Sequence, residues 1–274
     1  MANMDLQPFL KWPGGKRWLV DKVERNIVLA PGKRYIEPFL GSGAVFFAIK
    51  PHQALLSDIN SELIELFLVM RDKPLELKEK MIWHQKHHCK DYYYLIRAKQ
   101  PRTDVNRAAR MLYLNRTCFN GMYRVNRSGK FNVPIGSKSN CIYDIDCFSD
   151  YSELLKTAEI CNRDFEEIIN RAQPGDCIFA DPPYVAGERI IFSKYNDKLF
   201  TWNDQIRLFS ALNLAKEKNV HIISTNVYCE ELLEMYEKAG FNVISINRPC
   251  MIAGNPEKRK FVQELIVSTE PMEM

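Results

Sequence analysis

The sequence predicts an α/β fold, a mostly parallel sheet interrupted by a basic insert of helices and a hairpin. Three observations carry that prediction. Short apolar runs alternate with longer amphipathic stretches at both ends of the chain, the pattern of βαβ units. A glycine turn, Leu40-Gly41-Ser42-Gly43, joins a strand directly to a helix. Between positions 84 and 138 the chain carries twelve Lys and Arg against two acids, Asp91 and Asp104, so this stretch is +10 in a chain of net charge +4 and the remainder is −6.

A helix is expected over 16–28, a strand over 34–37, a helix beginning over 44–49 and a second strand over 54–58. Ser61 is placed to cap a helix over 61–71. From 74 to about 114 the period stays helical, with a break at Pro101. Over 119–136, Asn120-Gly121 and Ser128-Gly129 separate short alternating segments, a hairpin signature. Strands return over 157–161, 177–180 and 220–224, with a C-terminal pair over 242–247 and 263–267. Positions 196–203 and Gln205 read as loop and cap. The expected organisation is an α/β domain in two parts, 1–72 and 151–274, around an insert over 73–150 that contains the hairpin.

Composition narrows the class. A hydrophobic content of 46% with 26% charge is that of a soluble globular protein. No apolar run approaches the roughly 18 residues of a membrane span. The N-terminal stretch lacks the apolar segment of a secretory signal, so a cytoplasmic setting is expected, where the eight Cys stay free thiols. His84, His87, His88 and Cys89 lie close together but lack a second pair of ligands, and no metal is expected. A mildly acidic body carrying a +10 segment is the charge pattern of a polyanion binder.

The most specific motif is Asp181-Pro182-Pro183-Tyr184, directly after the apolar run Cys177-Ile178-Phe179-Ala180. It suits one chemical problem. The exocyclic amine of adenine or cytosine is a poor nucleophile because its lone pair is delocalised into the ring. A carboxylate accepting one N–H, with a backbone carbonyl accepting the other, draws that nitrogen toward tetrahedral geometry. Two prolines fix φ near −65° and carry no N–H, which holds the carbonyls rigid. Tyr184 offers a ring on which a planar base stacks.

The glycine turn follows Glu37-Pro38-Phe39, and Phe46 stands where a dinucleotide fingerprint has its third glycine. A carboxylate beside the turn disfavours a pyrophosphate and favours a cation. Asp58 ends the next strand, where such folds place an acid on ribose hydroxyls. An adenosine with a positive charge and no phosphates is S-adenosylmethionine. Phe9-Leu10-Lys11-Trp12-Pro13-Gly14-Gly15-Lys16 is no phosphate-binding Walker loop, since the required spacing is absent.

In order, FLKWPGGK, EPFLGSGAVFF, SDIN, the basic insert with NRTCFNGMYRVNRSGKFNVPIG, and ADPPY resemble the Dam-type (D12, alpha-group) N6-adenine DNA methyltransferases over nearly the whole chain. The resemblance implies an S-adenosylmethionine-dependent methyltransferase (Rossmann-like) sheet with an inserted DNA-recognition domain. It implies site-specific methylation of adenine N6 in double-stranded DNA by base flipping, with GATC the expected site and no obligate protein partner. Trp12, Lys16, Phe39, Gly41, Gly43, Asp58, Asp164, Phe165 and Asp181 would line the cofactor pocket, and Asp181 through Tyr184 would carry the chemistry. For DNA, Phe119 matches a wedging aromatic and Arg124 a base-reading arginine. Lys11, Arg116, Asn120, Met122 and Pro134 fall on neighbouring contact positions, and Asn126, Arg127 and Asn132 on candidate phosphate contacts. Two stretches, VAGERIIFSKYND after Tyr184 and MIAGNPEKRK near the end, depart from the family in detail; they contain Phe192, Tyr195, Lys258, Arg259 and Lys260.

Two other readings share this core: methylation of structured RNA, and a catalytically silent DNA-binding protein. The 115–136 segment favours DNA over RNA, and the intact Asp-Pro-Pro-Tyr disfavours the silent protein.

Overall fold

A computed structural model describes residues 6–16, 18–27, 29–126, 128–143, 146–183, 200–249 and 261–273. Its strands are β1 (Tyr35–Glu37), β2 (Ala54–Ser57), β3 (Ala158–Cys161), β4 (Cys177–Ala180), β5 (His221–Val227), β6 (Asn242–Pro249) and β7 (Phe261–Ser268). They form one sheet in the order β3-β2-β1-β4-β5-β7-β6. The first five run parallel, and β7 pairs antiparallel with both β5 and β6. The chain reverses its winding between β1 and β4, and open α/β sheets bind ligands outside the strand ends at such a point.

Strand periodicity divides the core into two layers. Tyr35, Leu56, Phe179, Ile223 and Ile266 point into one cluster. Ile36, Leu55, Ile178, Ile222 and Leu265 point into the other. The second face is covered by α8 (Phe165–Asn170), α9 (Trp202–Glu217) and α10 (Glu230–Lys238). The first is covered by α1 (Val20–Asn26), α2 (Ala44–Ile49), α3 (Ser61–Asp72) and α7 (Phe148–Leu155). The helices α4 (Pro74–His87), α5 (Lys90–Ala98) and α6 (Asp104–Thr117) of the basic segment join that same cluster through Met81, Tyr93 and Tyr113.

Several expectations shift. The helix expected over 16–28 begins only at Val20, because the Pro13-Gly14-Gly15 turn carries Lys16 into the interior as a loop residue. The cap of α3 is Asn60, not Ser61: its side chain accepts from the Leu63 N–H at 3.0 Å. Among its described residues the hairpin forms no extended ladder. It consists of two isolated antiparallel bridges, Cys118↔Ile135 and Val125↔Phe131, and a short 3-10 turn over Phe119–Gly121. Ser128-Gly129 is its tip, while Asn120-Gly121 shapes its entry. Gln205 is fully buried and pairs with Asn226 rather than capping a helix; that cap is Thr201, in a reciprocal box with Asp204.

Candidate active site

The carboxyl ends of β1, β2 and β4 bring three acids together, and β7 adds a fourth. Glu37 ends β1 and is buried, accepting from the Tyr35 hydroxyl at 2.9 Å. Burial raises its pKa well above the usual carboxylate range, the Tyr35 hydrogen bond opposes that rise, and the charges of Asp181 and Asp58 add to it. Asp58, just past β2, accepts from the Gly41 N–H at 3.0 Å and the Asn60 N–H at 2.9 Å. Burial raises its pKa too, against the pull of those backbone donors. Its carboxylate thus ties the glycine turn to the start of α3.

Asp181 follows β4, and Lys16 lies against it, Nζ to Oδ1 at 2.8 Å, with Glu264 Oε2 of β7 at 3.9 Å. Lys16 is only 3% exposed and also donates to the Gly14 carbonyl at 3.2 Å. Two carboxyls thus lie on one ammonium, and Asp181 and Asp58 are close enough for their charges to act on Glu37. Such a pocket suits a ligand bearing positive charge and no phosphate.

Two aromatic pairs stand close to the glycine turn in the chain or in space. Phe39 stacks on Phe165 with ring centroids 5.2 Å apart, and the Arg207 guanidinium covers Phe165 at 4.8 Å. Arg207 also binds Asp164, the cap of α8, at 2.7 Å, together with Glu166 and Asp204. At the glycine turn, Gly41 has φ of +50° and a Cβ there would lie 3.0 Å from the Trp12 ring. Trp12 in turn stacks on Tyr123 at 5.0 Å. Gly43 follows as the residue before α2. Pro182 is buried and Pro183 exposed, while Tyr184 lies outside the described residues, as do Arg127, Phe192, Tyr195, Lys258, Arg259 and Lys260.

The candidate DNA contacts divide. Lys11, Phe119, Asn120 and Pro134 are exposed, with Phe119 at 53% and Asn120 in a left-handed conformation, φ +56°. The Phe119 N–H donates to the Pro134 carbonyl at 2.9 Å, which places those two side by side. Gly121 lets Lys11 join them: a Cβ at that glycine would meet the Lys11 stem at 2.5 Å. Arg124 donates through Nε to Asn132 Oδ1 at 2.7 Å, so Asn132 engages the arginine. Asn126 Oδ1 accepts from the N–H groups of Ser128 and Lys130, both at 3.0 Å, and builds the tip of the hairpin. Met122 is half-buried against the core.

Arg116 is a correction. It is 5% exposed and spends its guanidinium on the Phe9 and Cys141 carbonyls and on both oxygens of Asp146. Such a group has no surface to offer a phosphate; it holds Phe9, Cys141 and Asp146 onto α6. His84, His88 and Cys89 likewise have structural partners within the insert. His84 and His88 pair with the Tyr92 and Tyr113 hydroxyls, both at 2.8 Å, and Cys89 caps α5. Burial depresses the pKa of His84 to about 4.

Sequence reasoning missed Thr225, whose hydroxyl donates to Asp181 Oδ1 at 2.7 Å, and Arg207. It also missed Glu264, although a lone acid beside the apolar run Leu265-Ile266-Val267 was a usable signal of a buried site.

Comparison with known proteins gives the family. Residues 12–251 match the model of the D12 class N6 adenine-specific DNA methyltransferases. A type II methyltransferase of Lactococcus lactis subsp. cremoris is 35% identical over 278 residues, covering 97% of this chain and 96% of its own. A type II methyltransferase of Methanocaldococcus jannaschii is 33% identical, covering 96% and 99%. The DNA adenine methylase of Escherichia coli K12 is 29% identical, covering 96% and 95%. Among the described residues no helix is long and apolar enough to cross a membrane. A match over most of the chain, with the motif residues gathered at one end of the sheet, shows that it belongs to the D12 class of N6-adenine-specific DNA methyltransferases and uses S-adenosylmethionine.

Proposed function

We propose that this enzyme flips an adenine out of duplex DNA and methylates its N6 within GATC, working without an obligate protein partner. The observation that carries the reading is the pairing of two surfaces on one short loop. Residue 16 of that loop lies on Asp181, and residue 11 lies against the exposed Phe119 hairpin.

S-adenosylmethionine supplies the methyl group and a positive charge. The acidic pocket of Glu37, Asp58, Asp181 and Glu264 would receive that charge, and Phe39 with Phe165, backed by Arg207 and Asp164, would hold an adenine ring. Trp12, Lys16, Gly41 and Gly43 would enclose the rest. Asp181 accepts one N–H of the target amine and the Pro182 carbonyl the other, which localises the nitrogen lone pair toward the methyl donor. Tyr184 would stack on the flipped base. Phe119 would enter the space near the flipped base, Arg124 would pair with a guanine edge, and Lys11, Asn120, Met122 and Pro134 would border the site. Asn126, Arg127 and Asn132 are the further DNA candidates. The organisation that fits is an α/β domain over 1–72 and 151–274 with the recognition insert over 73–150.

The test is plasmid DNA from an expressing host that lacks its own adenine methylase. An endonuclease requiring methylated GATC should cleave it. Resistance to that enzyme, with N6-methyladenine found at another motif by long-read sequencing, would overturn the assigned site while leaving the enzyme class intact.

A further inference from the structure

Asp181 leaves β4 where the neighbouring strand β5 is still paired. The two run parallel with Ala180 opposite Ser224, so residue 225 comes level with residue 181. Thr225 donates Oγ1 to Asp181 Oδ1 at 2.7 Å, and Lys16 Nζ reaches the same oxygen at 2.8 Å. Two donors from different elements thus converge on one oxygen. Among the described residues, none gives Asp181 Oδ2 a hydrogen bond.

The two donors are not equivalent. Lys16 has a long, many-jointed side chain on a loop, shared with Gly14 and Glu264. Thr225 is β-branched and stiff about χ1, lies fully buried inside a strand, and is paired through its backbone with Ile266 of β7. The next residue, Asn226, is locked to Gln205 by hydrogen bonds of 2.8 and 3.3 Å. A buried hydroxyl is commonly satisfied by a nearby carbonyl, as Ser224 is by Ala180 at 3.0 Å. Thr225 instead takes the carboxylate. A hydrogen bond weakens steeply as its angle falls below about 120°, so an acceptor must be aimed as well as near. Holding Oδ1 fixes the plane of the carboxylate and aims Oδ2 in one direction before any substrate arrives, which is the preorganisation that electrostatic catalysis requires.

We propose that Thr225 is a positioning residue for methyl transfer: it holds Asp181 by Oδ1 so that Oδ2 accepts from the adenine amine. The inference rests on the reading of Asp181 as the amine acceptor. The test uses the full chain and tritiated S-adenosylmethionine, with unmethylated genomic DNA as acceptor so that no recognition sequence is assumed. Thr225→Val keeps the shape and removes the donor; Thr225→Ser restores the donor; Asp181→Ala is the reference. Thr225→Val should lower kcat about ten- to a hundredfold, the scale of a misplacement near 1 Å. KM for DNA, affinity for S-adenosylhomocysteine and the thermal midpoint should stay near wild type, and Thr225→Ser should recover most of the rate. Wild-type kcat in Thr225→Val beside an inactive Asp181→Ala would overturn the inference and leave Asp181 in its role. Wild-type kcat in Asp181→Ala would overturn that role itself. A loss in Thr225→Val that serine does not restore, or that comes with weaker cofactor binding and a lower thermal midpoint, would make Thr225 structural and overturn the proposal.

Discussion

Glu37 carries an unusual load for a carboxyl: it is buried against a tyrosine with two other acids close enough to repel it. Its folded pKa lies above its unfolded one, so without a bound cation the fold favours its neutral form. The stability it allows is fully present below the unfolded carboxylate range and is lost as pH rises through the folded pKa. Glu37→Gln should therefore raise the thermal midpoint of the cofactor-free protein, by more at pH 8 than at pH 5. The same substitution should weaken S-adenosylhomocysteine less than S-adenosylmethionine, because only the latter has the sulfonium. Calorimetric unfolding scans at the two pH values and paired titrations with the two ligands check both parts. Equal midpoints at both pH values would show that the buried carboxyl carries no such penalty. At this scale a motif pointed to Asp181 and Asp58, which the structure places at the ends of β4 and β2, against Lys16 and the glycine turn. The sequence was silent for Thr225, because a threonine within a run of strand formers looks like any β-branched strand residue.

At the scale of elements, the strands were the easiest to read. Cys177–Ala180 and Ala54–Ser57 are buried on both faces, and near-continuous apolar runs supply that, with Ser57 satisfied by the Arg163 carbonyl. The hairpin was harder, since much of its order comes from side chains bonding across or along it: Arg124 to Asn132, and Asn126 to its own tip. Those bonds follow from no period. They do separate two effects. Arg124→Ala should relax selectivity at one guanine position by about 1–3 kcal/mol, roughly ten- to a hundredfold. Asn132→Ala should relax the same position in part, because it frees the arginine that it engages, whereas loss of a phosphate contact weakens all sequences alike. Methylation rates on duplexes substituted one base pair at a time distinguish the two; uniform weakening in Arg124→Ala would place this arginine on the backbone of the DNA.

For the whole molecule, counting charge overstated the DNA-binding surface. Of the twelve basic residues between positions 84 and 138, Arg97, Arg110 and Arg116 bind protein carbonyls, and Arg107 is paired with Glu65. The burial of Arg116 was hidden from the sequence because its partner, Asp146, is thirty positions away. Affinity for duplex DNA should still fall steeply with salt. About −0.9 in log–log slope per phosphate contact gives roughly −5 for about six contacts. Arg116→Ala should leave that slope unchanged and instead destabilise the fold by about 3–5 kcal/mol, the effect of stranding a buried charge. Filter binding across a salt series and denaturant unfolding measure the two separately, and a shallower slope in Arg116→Ala would return it to the interface.

One short stretch of chain has a consequence for anyone who would alter the specificity of this enzyme. The Lys11 backbone is clamped on both sides by Asn115 of α6, N–H to Oδ1 at 2.9 Å and carbonyl to Nδ2 at 2.7 Å, while the Lys11 stem fills the space that Gly121 leaves open. One residue on, Trp12 is wedged between Gly41 and Tyr123, and five residues on, Lys16 sits on Asp181. The proposed recognition hairpin is therefore not an exchangeable part. A hairpin transplanted from a relative would need its own version of residues 9–16 and of the helix carrying Asn115. Without them, the graft would seat the foreign reader on a native hinge, and the error would be felt at the methylated nitrogen.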